Sequence, residues 1–394
     1  MTTVHEPEKR RILRIQSRIC IGGPALNTIN LSAGLNSDRY QTLLIGGRLL
    51  ENEESLEPLA HQKGVAIKMI PEMGRTLSPL DDIKAFIKLV RVMKKFKPHL
   101  VHTHTAKAGT LGRLAAIYCR VPLRVHTFHG HVFRGYFSPA VNKLVILTEK
   151  VLAAFSTKIV AISKIQKSDL TEVFRITKAA KCQIVPLGFE LDQMINGTPG
   201  NFKKSLGLPD TTRLFGILAR LVPVKNHEFL IRSIAKWKEL YPGEDVKFLI
   251  IGDGELKSEL QQLTDELDLN DLVIFTGWKK NTAEIYADLD LNILVSRNEG
   301  TPVTLIEGMA AGVPILTTDV GGIRDVAPEN TGTILPADVD HTEFAKAIQS
   351  FVVNPTRLSN DVREEVRSAF SVKRLVRDIE NLYDELFTSR EKKH

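Results

Sequence analysis

"LDLNILVSRNEGTPVTLIEGMAAGVPILTTDVGG", residues 289–322, decides the fold. "LNILV" is an unbroken apolar run, the mark of a strand covered on both faces. A Gly-Thr-Pro break follows, then a helix of small residues ended by Gly312 and Pro314, and "PILTT" is a second buried strand. Strand, helix and strand in succession form a crossover unit of a parallel sheet. One carboxylate, Glu299, stands before that helix, and another, Glu307, lies about one turn inside it.

The same pattern extends in both directions. Upstream, "RILRIQS", "QTLLIGG", "VAIKMI", "HLVHTH", "LRVHTFHG" and "KIVAIS" are strand-like runs, and "RLFGILAR", "VKFLIIGDG" and "LVIFTG" lead into the opening stretch. All but "VAIKMI" end in Gly, Ser, His or Arg, where a ligand meets the carboxyl edge of a parallel strand. A chain of 394 residues exceeds one ordinary core. The expectation is α/β, with two doubly wound, Rossmann-like domains. The join lies near "IVPLGFELDQM", where Pro186 and Gly188 break the pattern, giving domains of 1–188 and 189–370 before a terminal segment, 371–394.

Bulk properties narrow the function. Hydrophobic content of 43% with 6% aromatics is globular. Cys20, Cys119 and Cys182 form no spaced pattern and suit a reducing compartment. The start, "MTTVHEPEKRRILRI", has no apolar core of a signal peptide, and no run approaches the ~18 apolar residues of a membrane span. The expected location is the cytoplasm. Residues 1–188 hold 29 Lys+Arg against 13 Asp+Glu, a balance of +16, whereas 189–394 balance at −9. A basic half implies a polyanionic partner.

Three strand ends of the second half suit a nucleotide diphosphate. "ILARLVPVKNHEFL" puts Arg220 after a strand and Lys225 before a helix, two cations able to neutralise a pyrophosphate. "IIGDGE" offers Gly252 and Gly254 for close backbone approach. In "EGTPVTLIEG", Gly300, Thr301 and Pro302 lead into a helix whose first amides, at Val303, Thr304 and Leu305, make an anion site. Glu307 suits vicinal ribose hydroxyls. Singly, each feature is an ordinary turn or a solvated charge pair; their order along successive strand ends points to a ligand.

"ARLVPVKN", "IIGDGELKSEL" and "EGTPVTLIEGMAAGVPI" resemble the nucleotide-sugar half of the retaining glycosyltransferases of family 4, whose two-domain scaffold is GT-B. "IGGPALNTINLSAGL", "HTHTAKAGTLGRLAA", "HTFHGH" and "IVAISK" resemble the first domain of that family, and "LYDELF" its terminal helix, which crosses back to the first domain. The resemblance implies two domains facing across a cleft that closes over the donor. It implies that Arg220 and Lys225 hold the donor diphosphate, Glu299 the transferred sugar and Glu307 the ribose. Gly22 and Gly23 then form the first-domain loop at the donor phosphate, and His129 sits beside the reacting sugar. No cofactor is implied. Leu187 of "PLGFE" stands where Asn is common in the family, a form that resembles enzymes of surface-polysaccharide assembly.

His102, His104, His126, His129 and His131 invite a metal reading. Imidazoles alternating along a strand end point to opposite faces and converge poorly on one ion, so no metal is expected. Asp288 and Asp290 mimic a manganese-binding pair but end a helix and enter a buried strand, a structural placement.

In "DDIKAFIKLVRVMKKFKPH", Lys84, Lys88, Arg91 and Lys95 fall on one helical stripe and Ile83, Phe86, Ile87 and Val90 on another. A core helix with a solvated basic face would look the same; with the charge of the half, the stripe suggests contact with an anionic membrane. Phe133, Tyr136 and Phe137 form an aromatic loop able to clasp a lipid-linked acceptor or to pack internally. Nucleic acid is not expected, for no zinc-finger, helix-turn-helix or RNP pattern occurs. The combined reading is a membrane-peripheral glycosyltransferase moving a sugar from a UDP-linked donor to a lipid-linked glycan. A UDP-sugar epimerase on the same scaffold and a non-catalytic nucleotide-sugar-binding subunit are the alternatives. An NAD-dependent dehydrogenase is disfavoured because "GGPALN" is not G-x-G-x-x-G.

Overall fold

The structure is a computed structural model and describes residues 9–20, 22–49, 53–74, 78–130 and 138–392. The chain divides into unit 1, Met1–Phe189 with Val372–His394, and unit 2, Glu190–Ser371.

Unit 1 is built on β1 (Arg10–Ile15), β2 (Tyr40–Gly47), β3 (Ile67–Ile70), β4 (Leu100–His104), β5 (Leu123–Phe128), β6 (Lys158–Ala161) and β7 (Cys182–Ile184). Their order is β3-β2-β1-β4-β5-β6-β7, with every pairing parallel. The order reverses between β1 and β4, and ligands of doubly wound sheets sit at the carboxyl ends beside such a reversal. The helix Ala106–Tyr118 lies tight on that point. A Cβ on Gly112 would come within 2.7 Å of Thr103, and one on Gly109 within 2.5 Å of His126. The helices Pro79–Phe96 and Pro139–Phe155 flank it on either side.

The C-terminal helix Val372–Glu391 belongs to this core. Leu375, Ile379, Leu382, Tyr383, Leu386 and Phe387 are buried with Ile12, Leu31, Leu100 and Val125. Their spacing is that of one helical face, and full burial of each contributes up to about 1.5–3 kcal/mol. Polar contacts fix its register: Arg14 donates to the Tyr383 hydroxyl at 3.0 Å, and Asp384 accepts from the Tyr40 hydroxyl at 2.7 Å.

The helix Pro79–Phe96 starts at Ser78, whose hydroxyl accepts from the Asp81 amide. Its buried side chains are Ala85, Leu89, Val90, Val92 and Met93. The expected apolar stripe is therefore rotated: Ile83 and Ile87 face outward, 58% and 42% exposed. Lys84, Arg91 and Lys95 are exposed as expected, whereas Lys88 is half-buried and donates to Glu72 at 2.5 Å.

Unit 2 holds β8 (Arg213–Leu218), β9 (Val246–Ile251), β10 (Val273–Gly277), β11 (Leu291–Leu294), β12 (Ile315–Thr318) and β13 (Gly332–Leu335), ordered β10-β9-β8-β11-β12-β13. All pairings are again parallel, and the reversal lies between β8 and β11. Its core centres on Trp237, Phe215, Phe248 and Phe344. Asp288 accepts from the amides of Gly200 and Lys203, and Asp290 from that of Leu214 at 2.9 Å, so both acids serve backbone amides.

Candidate active site

The loops leaving β8 and β11, on either side of the unit 2 reversal, bring the singled-out residues together. Arg220 lies two residues beyond β8, exposed, with no side-chain partner among the described residues. Lys225 closes a 3-10 turn, Pro223–Lys225, before the helix His227–Leu240. Its ammonium donates to Glu299 Oε1 at 2.5 Å, and the Ser296 hydroxyl donates to the same oxygen at 2.6 Å. The Arg297 amide donates to the Val224 carbonyl at 2.8 Å and ties the two loops together. Glu299 is nearly buried, and a carboxylate so placed needs a cation. The two cations read as a pair are thus unlike: Arg220 is uncompensated, while Lys225 is already matched to Glu299. Oε2 of Glu299 has no protein partner among the described residues.

Glycines join these loops to their neighbours. Gly252 has φ +149°, and a Cβ there would lie 2.0 Å from the Ala219 carbonyl; one on Gly254 would lie 2.5 Å from that of Leu221. Their smallness thus serves loop-on-loop packing that positions Arg220. Gly321 (φ +53°) and Gly322, after β12, do the same for the second loop, where a Cβ on Gly321 would fall 1.9 Å from the Glu299 carbonyl. The Gly322 amide donates to that carbonyl at 3.0 Å.

The helix Val303–Ala310 begins after Pro302, with Gly300 and Thr301 in the bend before it. The Leu305 amide turns back onto the Pro302 carbonyl at 3.1 Å, so it is not one of the free anion-binding amides. Val303 and Thr304 are the amides of that turn without an acceptor among the described residues. Gly308 lets the helix touch β11, since a Cβ there would lie 2.4 Å from Asn292. On the helix, Glu307 accepts from the Tyr286 hydroxyl at 3.1 Å. Burial pushes its carboxyl up to about 7, the Tyr286 bond opposing. Tyr286, Ser296, Gly321 and Gly322 were not singled out from sequence; "DVGG" at a strand end was the available signal for the glycines. The neighbouring His227 is buried, with both ring nitrogens unpartnered, and burial followed by Lys225 lowers it to about 4.

In unit 1 the reversal lies between β1 and β4. Gly22, at φ +154°, precedes the helix Gly23–Gly34, and a Cβ on Gly22 or Gly23 would meet nothing within 4 Å. Beyond β4, Thr105 has φ +62° and ψ 160°, a region nearly reserved for glycine that costs about 1–3 kcal/mol. Its hydroxyl is bound to that of Ser17 at 2.7 Å.

The histidines converge more than alternation implies. His102 and His104, two apart on β4, share a face and stack at 4.4 Å between centroids. His104 Nδ1 lies 2.9 Å from His129 Nε2, while His126 on the other face meets the Thr103 hydroxyl at 2.8 Å. His102 is bound by the hydroxyls of Tyr383 and Thr127, each at 2.7 Å. Burial holds His102, His104 and His126 well below the usual imidazole range and lowers His129 to about 4. His104 and His129 are therefore neutral, each with one N–H and one lone pair. Their shared bond uses one donor and one acceptor. The two remaining buried nitrogens, His104 Nε2 and His129 Nδ1, then supply one of each, the pair of functions a sugar hydroxyl satisfies. No set of three His, Cys, Asp or Glu among the described residues is arranged to hold a metal. His131, Phe133, Tyr136 and Phe137 lie outside the described residues.

Residues 21–193 match the family model described as Glycosyltransferase Family 4, and residues 200–369 the one described as Glycosyl transferases group 1. An Escherichia coli relative named UDP-Gal:alpha-D-GlcNAc-diphosphoundecaprenol alpha-1,3-galactosyltransferase is 27% identical over 82% of this chain and 84% of its own. A capsular polysaccharide biosynthesis glycosyltransferase of Staphylococcus aureus, CapM, is 27% identical over 82% and 86%. Anabaena HepE, crystallised with UDP and glucose, shares the fold at a TM-score of 0.79 and 19% identity, over 95% of this chain and 100% of that one. A glycosyltransferase from Rickettsia africae does so at 0.80 and 20%, over 97% and 99%.

Proposed function

The chain belongs to the family 4 glycosyltransferases and has their GT-B fold, and from that premise we propose that it moves a sugar from UDP onto a hydroxyl of a polyprenyl-diphosphate-linked glycan, with retention at the anomeric carbon. It is a glycosyltransferase of lipid-linked glycan or polysaccharide biosynthesis. The UDP donor and the polyprenyl acceptor are supported by the name of the Escherichia coli relative.

The observation that carries the reading is the junction at Glu299, where Lys225 and Ser296 converge on one carboxylate oxygen beside the two free amides of the 303–310 helix. Breaking the bond from the anomeric carbon to the diphosphate builds charge on the departing phosphate oxygen. Arg220, Lys225 and the amides of Val303 and Thr304 are the fixed positive groups that take up this charge. Removing one such donor typically costs about 10²–10³ in rate. Glu299 Oε2 reads hydroxyls of the transferred sugar and Glu307 those of the ribose. Within unit 1, the Gly22–Gly23 turn suits a phosphate and the His104–His129 pair a sugar hydroxyl.

The enzyme works at the cytoplasmic face of a membrane as a peripheral protein, with Lys84, Arg91 and Lys95 toward anionic lipid and Lys88 withdrawn onto Glu72. No helix among the described residues is long and apolar enough to cross a bilayer. The test is a thermal-shift screen of nucleotide sugars, followed by transfer to a polyprenyl-diphosphate acceptor with NMR of the new anomeric linkage. Stabilisation by a UDP-sugar and a retained linkage are expected. An inverted linkage, or an altered UDP-sugar released without acceptor, would overturn the reading.

A further inference from the structure

The helix Pro139–Phe155 has two apolar faces where a surface helix needs one. Toward the core, Leu152 and Ala153 are buried, and Val145 and Ile146 pack against the cluster around Phe128 and Ile159. On the outer side Val141, Leu144, Leu147, Val151 and Phe155 recur every three or four residues, hence on one line, and are 45–64% exposed. The adjoining helix Ala106–Tyr118 exposes Leu114 and Tyr118, and the next one, Pro79–Phe96, exposes Leu80, Ile83 and Ile87. Single exposed apolar residues are ordinary, but a run across three neighbouring helices marks an interaction surface.

The charges of these helices choose the occupant. Their acids are Asp81, Asp82 and Glu149. Asp82 is paired with Lys107 at 2.6 Å, and Glu149 is buried against Arg113. Lys84, Arg91, Lys94, Lys95, Lys143 and Lys150 remain without a carboxylate partner among the described residues. A second copy of this face would set cation against cation. An anionic lipid surface accepts both features, with side-chain stems among the acyl chains and ammonium groups at headgroup level.

We propose that the Val141–Phe155 stripe is the part of unit 1 that enters an anionic lipid surface, the cations of the 79–96 helix forming its rim. This rests on the membrane-peripheral part of the functional reading and shifts the principal contact from the lysine stripe to the 139–155 helix. The test uses the full chain and flotation with phosphatidylcholine vesicles, with and without phosphatidylglycerol. Leu144→Ser with Leu147→Ser should weaken binding to the mixed vesicles at least about tenfold, with the thermal midpoint and transfer to a soluble acceptor unchanged. Lys84→Gln, Arg91→Gln and Lys95→Gln should each weaken it about fivefold at low salt. Wild-type binding by the double serine variant would overturn the proposal. So would equal binding to neutral vesicles, or a wild-type dimer that the double variant splits. Absence of transfer by the wild type to any acceptor would instead strike the enzymatic reading, which flotation does not measure.

Discussion

Donor affinity should rise with pH through neutrality, and Glu307 should be the cause. Burial holds its carboxyl up to about 7 in the free protein. Two ribose hydroxyls would donate to the ionised form, so binding expels the proton. If the bound carboxylate returns to about the ordinary glutamate value of 4.5, linkage gives about tenfold tighter binding at pH 8 than at pH 6, or about 1.4 kcal/mol. Binding should release about 0.9 proton at pH 6 and about 0.1 at pH 8. His129 and His227, both lowered to about 4, are silent in this window. Tyr286 is pushed up by burial and by Glu307, and stays protonated. The diphosphate of a UDP-sugar is a diester and does not titrate there either, which recommends it over UDP. Calorimetry in buffers of different ionisation enthalpy measures both quantities, and Glu307→Gln should flatten them. The same shift fixes a sign for stability. Below about pH 4.5 folded and unfolded chains both carry the proton. As pH rises toward 7 only the unfolded chain ionises, so the free protein loses about 3 kcal/mol over that span, a loss Glu307→Gln should abolish. A pH-independent donor affinity, or a slope that survives in Glu307→Gln, would refute the reasoning.

Lys225→Met leaves Glu299 nearly buried without its cation; it should cost about 1–3 kcal/mol in denaturant melts and at least about 10² in transfer. Adding Glu299→Gln should recover stability and not transfer. Gly321→Ala puts a Cβ against the Glu299 carbonyl at positive φ, so it should lower the thermal midpoint by an amount worth about 2 kcal/mol or more and weaken UDP-sugar binding. Gly300→Ala, with nothing within 4 Å of its Cβ, should change stability by less than about 0.5 kcal/mol. His104→Phe keeps a ring against His102 and loses the bond to His129; kcat should fall by up to about 10² with donor KM little changed, and His104→Asn should restore part of it. Equal kcat in all three proteins would remove His104 from the site.

Legibility followed the range of the physics involved. Buried parallel strands announce themselves by continuous apolar runs, and eleven such runs marked β1 to β6 and β8 to β12. The two strands missed, β7 and β13, are edge strands of three and four residues, "CQI" and "GTIL". The other two edges, β3 and β10, were read from the apolar runs "VAIKMI" and "LVIFTG", whereas Gln183 in "CQI" and Gly332 and Thr333 in "GTIL" leave too few apolar positions to form a run. The stripe of the 79–96 helix shows the complementary error. Periodicity assigns a face to each residue but not the rotation of the helix on the sheet, and Ile83 and Ile87 turned outward.

Site residues were legible one loop at a time, and their relations were not. Arg220, Lys225, Glu299 and Glu307 could each be placed at a strand end because local pattern sets strand ends. That Lys225 spends its charge on Glu299 depends on a contact across 74 residues, which no local pattern encodes. The same holds for Gly252 and Gly321, whose φ values and crowding by Ala219 and Glu299 arise only when two loops meet. His104 is the sharpest case. Alternation along β4 separates His102 from Thr103, not from His104, and the partner of His104 comes from the end of the next strand. A rule about one strand therefore argued against convergence, while the parallel register of two strands produced it: Thr103 pairs with His126 and His104 with Thr127, which carries the chain to His129.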